Sequence, residues 1–347
     1  SLRQCPGRKA KLTWQTAYRA LTGATAATLL RCAGAVAQEP GPIITFQAEN
    51  DFFVSSGDGQ YTHGMQASYL SGANDVPDFI VGTAEWLPIF ETGSDMRWGI
   101  SVAQSMFTPD DIQSTGLIED DQPYAGWLRT DIGLVSDTGD RLDRVSLSLG
   151  IVGPQSYAED TQVWFHEVIE ASRPNGWDHQ LSNEPAVNLF YERQYRLVKP
   201  VGLEGLDLEW DFTPRGSIAL GNVYTYGAIG AEFRIGQQLE QDYGAPRIGA
   251  GVAGSGYFLP VAWNEVGWYF FAGLEGRAVA RNIFLDGNTF ADSHSVSKNI
   301  FVGEFQAGAA VTWGHMRLTF THVLRSKEFE GQDAPDQFGA ISLSTTF

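Results

Sequence analysis

The chain closes on "FGAISLSTTF", Phe338–Phe347, and the reading of this stretch decides the fold. Ile341, Leu343 and Phe347 fall on one side of an extended strand, with Ser342 and Ser344 on the other. Alternation with a period of two marks a strand with one apolar and one polar face. The pattern recurs along the chain. Phe301, Gly303, Phe305, Ala307, Ala309, Val311 and Trp313 share a face opposite Glu304, Gln306 and Thr312. Val145, Leu147, Leu149 and Ile151 alternate with Arg144, Ser146 and Ser148; Trp268, Phe270, Ala272 and Leu274 run out into Glu275 and Arg277. Met316, Leu318 and Phe320 alternate with Arg317, Thr319 and Thr321. A soluble β-sandwich would alternate as well. A membrane barrel does so with its apolar face outward and its polar face inward. No run of 18 or more apolar residues occurs, which argues against a helical anchor but not against a barrel.

The two ends favour the barrel. Arg3, Arg8, Lys9 and Lys11 precede "ALTGATAATLL" and the small-residue stretch Ala35-Val36-Ala37, the pattern of a secretory signal peptide over residues 1–37. The remainder, 38–347, reads as one domain. A terminal aromatic on an alternating strand resembles the signal read by the barrel assembly machinery of the outer membrane. The expectation is an all-β fold: a twelve-stranded antiparallel transmembrane β-barrel in a bacterial outer membrane, with a short helix in an extracellular loop. The strands are expected near 43–53, 61–71, 96–106, 125–136, 142–152, 186–198, 207–220, 224–235, 266–286, 299–313, 316–327 and 337–347.

Composition agrees. The chain has 39 Gly, 10 Trp, 12 Tyr and 21 Phe with 18% charged residues, a mix suited to many strands and tight bends. Both cysteines, Cys5 and Cys32, fall in the leader, so no thiol chemistry is expected beyond it. Without the leader, 17 Lys and Arg stand against 41 Asp and Glu, a balance of −24 that speaks against nucleic acid as a partner. Acidic surfaces among anionic lipids point instead to divalent cations between them.

One stretch places chemistry at the strand tips. In "TFQAENDFFVSSGDGQYTHGMQASYL", Thr45–Leu70, the residues Asn50, Asp51, Thr62 and His63 crowd a short loop where a hairpin needs only turn residues. Asn, Asp and Thr supply hard oxygen ligands suited to calcium. Between strands five and six, Ser156 and Glu159 have the spacing of a capping box ahead of "DTQVWFHEVIEAS". Gln162 and His166, spaced i,i+4, share a face of that helix, and Glu170 would continue it. A solvated helix face is the plain alternative. His166 is the natural candidate for a base near neutral pH. "HEVIE" lacks the second histidine of a zinc-protease motif. Trp177 and Tyr124 read equally as interfacial aromatics or substrate contacts, His179 and His322 as structural, and Asp120 and Asp121 as a solvated acidic loop.

Taken in order, "ENDFF", "YTHG", "FTPDD", "DQPYAGWL", "GIVGPQS", "QVWFH" and "NGWDHQLSNEP" resemble the outer-membrane lipid A 3′-O-deacylase family. The resemblance is densest between Glu49 and Pro185. It implies a calcium-dependent esterase that removes the 3′ acyloxyacyl group of lipid A in the outer leaflet. Matched position by position, Asn50, Asp51, Thr62, Gln162 and His166 would form the active site. His166 would activate water and Gln162 orient the site, while Asn50, Asp51 and Thr62 hold or surround the calcium. The chain departs from the family where a Lys-Arg pair is expected, since Phe107–Gln122 contains neither residue. Lipid A phosphates would then need divalent ions, Arg129 or Arg173. Two alternatives are an outer-membrane phospholipase-type hydrolase, whose H-x-S-N-G motif is absent because His63 precedes Gly64-Met65, and a non-catalytic barrel of the same fold.

Overall fold

Residues that alternate in the sequence form a closed antiparallel wall in the computed structural model, which describes residues 41–54, 60–78, 80, 90–91, 93–200, 208–248 and 256–347. The expected leader, 1–37, lies outside the described residues. The strands are β1 (Ile43–Asn50), β2 (Gln60–Leu70), β3 (Asp95–Thr108), β4 (Ala125–Asp137), β5 (Arg141–Val152), β6 (Glu184–Tyr195), β7 (Leu197–Pro200), β8 (Glu209–Gly221), β9 (Tyr224–Gln237), β10 (Val266–Asn282), β11 (Phe301–Trp313), β12 (Met316–Arg325) and β13 (Asp336–Thr346). Each pairs with its neighbour, and β13 pairs with β1. β6 and β7 both pair with β8, so they are one wall strand interrupted at Arg196, and the barrel has twelve. A closed barrel leaves no strand edge exposed to lipid.

The faces divide as the alternation requires. Phe301, Phe305, Val311 and Trp313 on β11 are exposed on the outside, while Val302, Glu304, Gln306 and Thr312 are buried toward the lumen. Aliphatic and aromatic side chains face the bilayer, and the polar ones bond one another across the interior. Glu304 alone receives Arg247 at 2.6 Å, Arg325 at 3.1 Å and Arg277 at 3.2 Å.

One expectation needs correction. The ninth wall strand, expected to reach residue 286, ends at Asn282, whose side chain accepts from Phe284 N and caps the short helix α2 (Ile283–Asp286). Its apolar residues, Ile283, Phe284 and Leu285, are buried, so the alternation stops where a helical turn fills the barrel mouth. The connection after β9 does more than link strands. Tyr243 and Tyr257 both donate to Asp137 at 2.6 Å, and Asp242 forms ion pairs with Arg234 and Arg317. These contacts draw Asp242, Tyr243 and Phe258 into the lumen at the end opposite the β1–β2 tip, and the segment runs on to Arg247, which pairs with Glu49.

Candidate active site

The outward faces of β1 and β2 carry the site. On β1, Gln47 and Glu49 face the lumen, where Glu49 accepts from Ile248 N at 2.8 Å and Arg247 at 3.3 Å. Phe46 faces outward, 60% exposed, and Asn50 lies two steps further along the same outer face. On β2, Tyr61 packs inside against Phe107 and Phe338, whereas Met65 is outward and 49% exposed. Residues 61 and 65 would share a face in a regular strand. The pairing with β3 shifts between Tyr61 and His63, and this bulge turns Tyr61 inward, while His63 keeps the outward side of Met65 and stands opposite Asn50. Thr62 is the residue inserted at the bulge; its side chain lies outside the described residues.

The β5–β6 connection covers this outer patch. It runs through the turn η2 (Pro154–Ser156), α1 (Ala158–Ile169) and the turn η3 (Trp177–His179). Gly126, on the outer face of β4, lets the segment land on the wall: a Cβ there would sit 2.1 Å from Ser156 Oγ and 2.3 Å from Ala158 Cβ. Gln104 Nε2 donates to the Ser156 carbonyl at 2.7 Å. The expected capping box does not form. Tyr157, left-handed at φ 57°, precedes the helix without a side-chain cap, and Ser156 is buried against the wall. The helix also stops at Ile169, because Glu170 is left-handed at φ 56° and Ala171 N closes back on the His166 carbonyl. Glu170 is therefore not part of the Gln162–His166 row.

That row faces the wall rather than water. Gln162 and His166 are buried, and with Asn50, His63, Met106, Thr161 and Phe165 they line a cavity of about 10 Å³, roughly the space for one water molecule. His166 Nδ1 lies 2.5 Å from the Ser172 carbonyl. A carbonyl only accepts, so Nδ1 carries the proton and Nε2 is the basic nitrogen. Trp177 Nε1 donates to Gln162 Oε1 at 2.8 Å, while Gln162 Nε2 has no hydrogen-bond partner among the described residues. Asn50 Nδ2 lies 3.0 Å from His63 Nδ1. Asp51 follows at the strand tip in the turn η1 (Asp51–Phe53), buried, but it does not line the cavity.

Of the five expected residues, the structure brings Asn50, Gln162 and His166 into one cavity and sets Asp51 beside it. His63 belongs there too and was not counted with the five; its signal was its place directly after Thr62 in the tip cluster. Tyr124 and Trp177 are not exposed aromatics of a membrane girdle. Both are buried under α1 with rings 4.9 Å apart, and Tyr124 Oη donates to the Ile112 carbonyl. His179 has the structural role expected of it, donating from Nε2 to Thr115 O. Arg129 is not at the rim. It lies in the lumen, paired with Asp131 at 3.2 Å and stacked on Trp127, which leaves Arg173 as the exposed candidate of the two. Near Arg173, partial burial and the neighbouring Asp160 and Asp178 hold the Glu159 carboxyl above its ordinary range. A larger cavity of about 140 Å³ occupies the lumen, but Arg–Glu pairs line it and no histidine does.

No group of three or more His, Cys, Asp or Glu side chains suited to a metal occurs among the described residues. The oxygen donors at hand are the amides of Asn50 and Gln162 in the cavity and the Asp51 carboxylate next to Asn50 in the chain, all hard, beside the imidazoles of His63 and His166. They suit an oxygen-seeking cation such as calcium, completed by main-chain or ligand oxygens, better than zinc.

A closed twelve-stranded wall with polar lumen and apolar exterior defines an outer-membrane β-barrel protein, here with a polar cavity on its lipid-facing side. The chain belongs to the family of the outer membrane protein LpxR, whose family model matches residues 21–347. It is also similar in fold to LpxR from Salmonella typhimurium: TM-score 0.70 at 18% identity, over 88% of this chain and 100% of that one. The β domain of the Bordetella autotransporter BrkA aligns with TM-score 0.44 at 9% identity, over 89% of this chain and 100% of that one. No curated protein sequence matches the chain.

Proposed function

We propose that this barrel is a lipid A deacylase that hydrolyses the 3′-O-linked acyloxyacyl ester from the outer leaflet, with His166 as general base. The observation that carries this reading is the position of His166. Its basic Nε2 belongs to a buried, water-sized cavity on the lipid-facing wall, and the Ser172 carbonyl fixes its tautomer. Lipopolysaccharide meets such a site by lateral diffusion. Phe46 and Met65 lead up the outer faces of β1 and β2 to Asn50 and His63, an apolar track along which an acyl chain can lie.

His166 Nε2 takes a proton from water as the water oxygen adds to the ester carbonyl carbon. Collapse of the adduct breaks the bond between that carbon and the sugar 3′ oxygen. The proton passes to the departing sugar 3′ oxygen, and the acyl group leaves as a carboxylic acid that ionises by giving its proton to water. Gln162, its Oε1 held by Trp177, directs its amide NH₂ toward the cavity as a donor for water or the developing oxyanion. Asn50 and Asp51, with Thr62 at the bulge, would hold calcium, which when bound polarises the ester carbonyl. The acids near Arg173 fit the same picture, since divalent ions can bridge them to lipid phosphates.

The test is mass spectrometry of lipid A treated with the refolded barrel, in calcium, in chelator, and as His166→Ala. Loss of the 3′ acyloxyacyl mass in calcium-loaded wild type alone is the expected result. An unchanged lipid A with a folded barrel would remove this function.

A further inference from the structure

His63 and Asn50 are directly opposed in the β1–β2 ladder and are 8% and 4% exposed. Nδ2 of Asn50 and Nδ1 of His63 stand 3.0 Å apart. An amide nitrogen donates and cannot accept, so His63 Nδ1 is the acceptor and the ring proton sits on Nε2. His166 has the opposite arrangement, with its proton on Nδ1 facing Ser172. One cavity therefore holds two histidines in different tautomers, each set by its neighbour.

The consequence falls on Asn50. The two ends of a carboxamide are nearly equal in size, so sterics alone do not decide whether oxygen or nitrogen faces a given side; hydrogen bonds decide it. With its nitrogen committed to His63, the amide turns its oxygen the other way. We propose that His63 is a positioning residue that keeps the Asn50 carboxamide oxygen, rather than its nitrogen, turned toward the reacting centre. This rests on the hydrolytic reading of the site. The His63 ring also packs 5.6 Å from Phe165 of α1, so the group that orients Asn50 is braced by the helix that carries His166. Ligand-orienting partners of this kind are chosen by the acceptor they present, not by charge.

Two substitutions separate acceptor from bulk. His63→Asn keeps an acceptor oxygen near the place of Nδ1, whereas His63→Leu fills the space without one. In folded barrels, His63→Leu is expected to lower kcat about 10- to 100-fold, the usual cost of losing an orienting partner. His63→Asn is expected to recover most of the loss. Equal loss in both variants, or full activity in His63→Leu, overturns the role. A readout that needs no turnover is the nitrogen-15 NMR of the His63 ring, in wild type and in Asn50→Leu. The wild type is expected to show a proton on Nε2, with that preference lost in Asn50→Leu. A proton on Nδ1 in wild type overturns the inference even in an active enzyme. If wild type leaves lipid A intact yet shows the Asn50-dependent Nε2 proton, the deacylase reading falls while the orientation of Asn50 is supported.

Discussion

Trp177 Nε1 donates to Gln162 Oε1 across 2.8 Å, and both residues are buried, Gln162 on the wall-facing side of α1. The bond decides which end of the Gln162 amide meets the cavity. Trp177→Phe removes the donor and keeps most of the packing against Tyr124. Expected are a loss of about 1 kcal/mol in stability and a drop of roughly tenfold in deacylation as Gln162 loses its fixed orientation. Denaturant unfolding and acyl release on the same preparation check both.

His166→Gln keeps a polar side chain of similar reach but no base. Deacylation should fall by about 10²- to 10⁴-fold, the range for losing a general base. The folded, heat-modifiable species on gels should be unchanged, because α1 is held to the wall through Ser156 and Ala158.

Gly126 offers a test of the helix-to-wall contact that touches no catalytic group. Gly126→Ala forces Ser156 and Ala158 off β4, and a displacement of about 1 Å in His166 can cost on the order of 10²-fold in rate. Gly276→Ala is the control, since a Cβ there meets nothing within 4 Å, and its activity should match wild type. Equal activity in the two variants would mean that the landing of α1 on the wall does not position the site.

The opposite end of the barrel carries a prediction about stability. Asp242 pairs with both Arg234 and Arg317, and all three are buried. Asp242→Ala removes a shared partner from two lumen arginines and should cost about 3–5 kcal/mol, the usual penalty for breaking a buried pair from one side. The fall should appear in the denaturant midpoint.

The wall was legible because alternation is a local property. Each expected strand appears within a few residues of its place, since a two-residue period needs no knowledge of the partner strand. The Gln162–His166 pair was legible for the same reason, at helical spacing. The side of the wall that carries the site was not. Alternation counted from Tyr61, which packs inside, would put His63 inside as well; the residue left unpaired between Tyr61–Phe107 and His63–Met106 breaks that count, and no spacing within β2 reveals it. The capping box failed for a related reason: the wall at Gly126 claims Ser156 before the helix can. Trp177 and Tyr124 looked like surface aromatics because their burial comes from contacts that local spacing does not show, Trp177 with Gln162 of α1 and Tyr124 with Trp177.

The bulge at Thr62 also divides β2 into two zones with separate duties. Toward Leu70 the strand follows the plain rule of a bilayer wall, with Met65 outward and Gln66 inward. His63 continues that outward side, and past the bulge the rule is reversed, so that Tyr61 turns into the lumen. One added residue is enough for this exchange, and it leaves the ladder below undisturbed. An outer-membrane wall can thus carry polar chemistry on its outward side at a strand tip while the aromatic one step beyond packs into the core behind it, among Phe107 and Phe338.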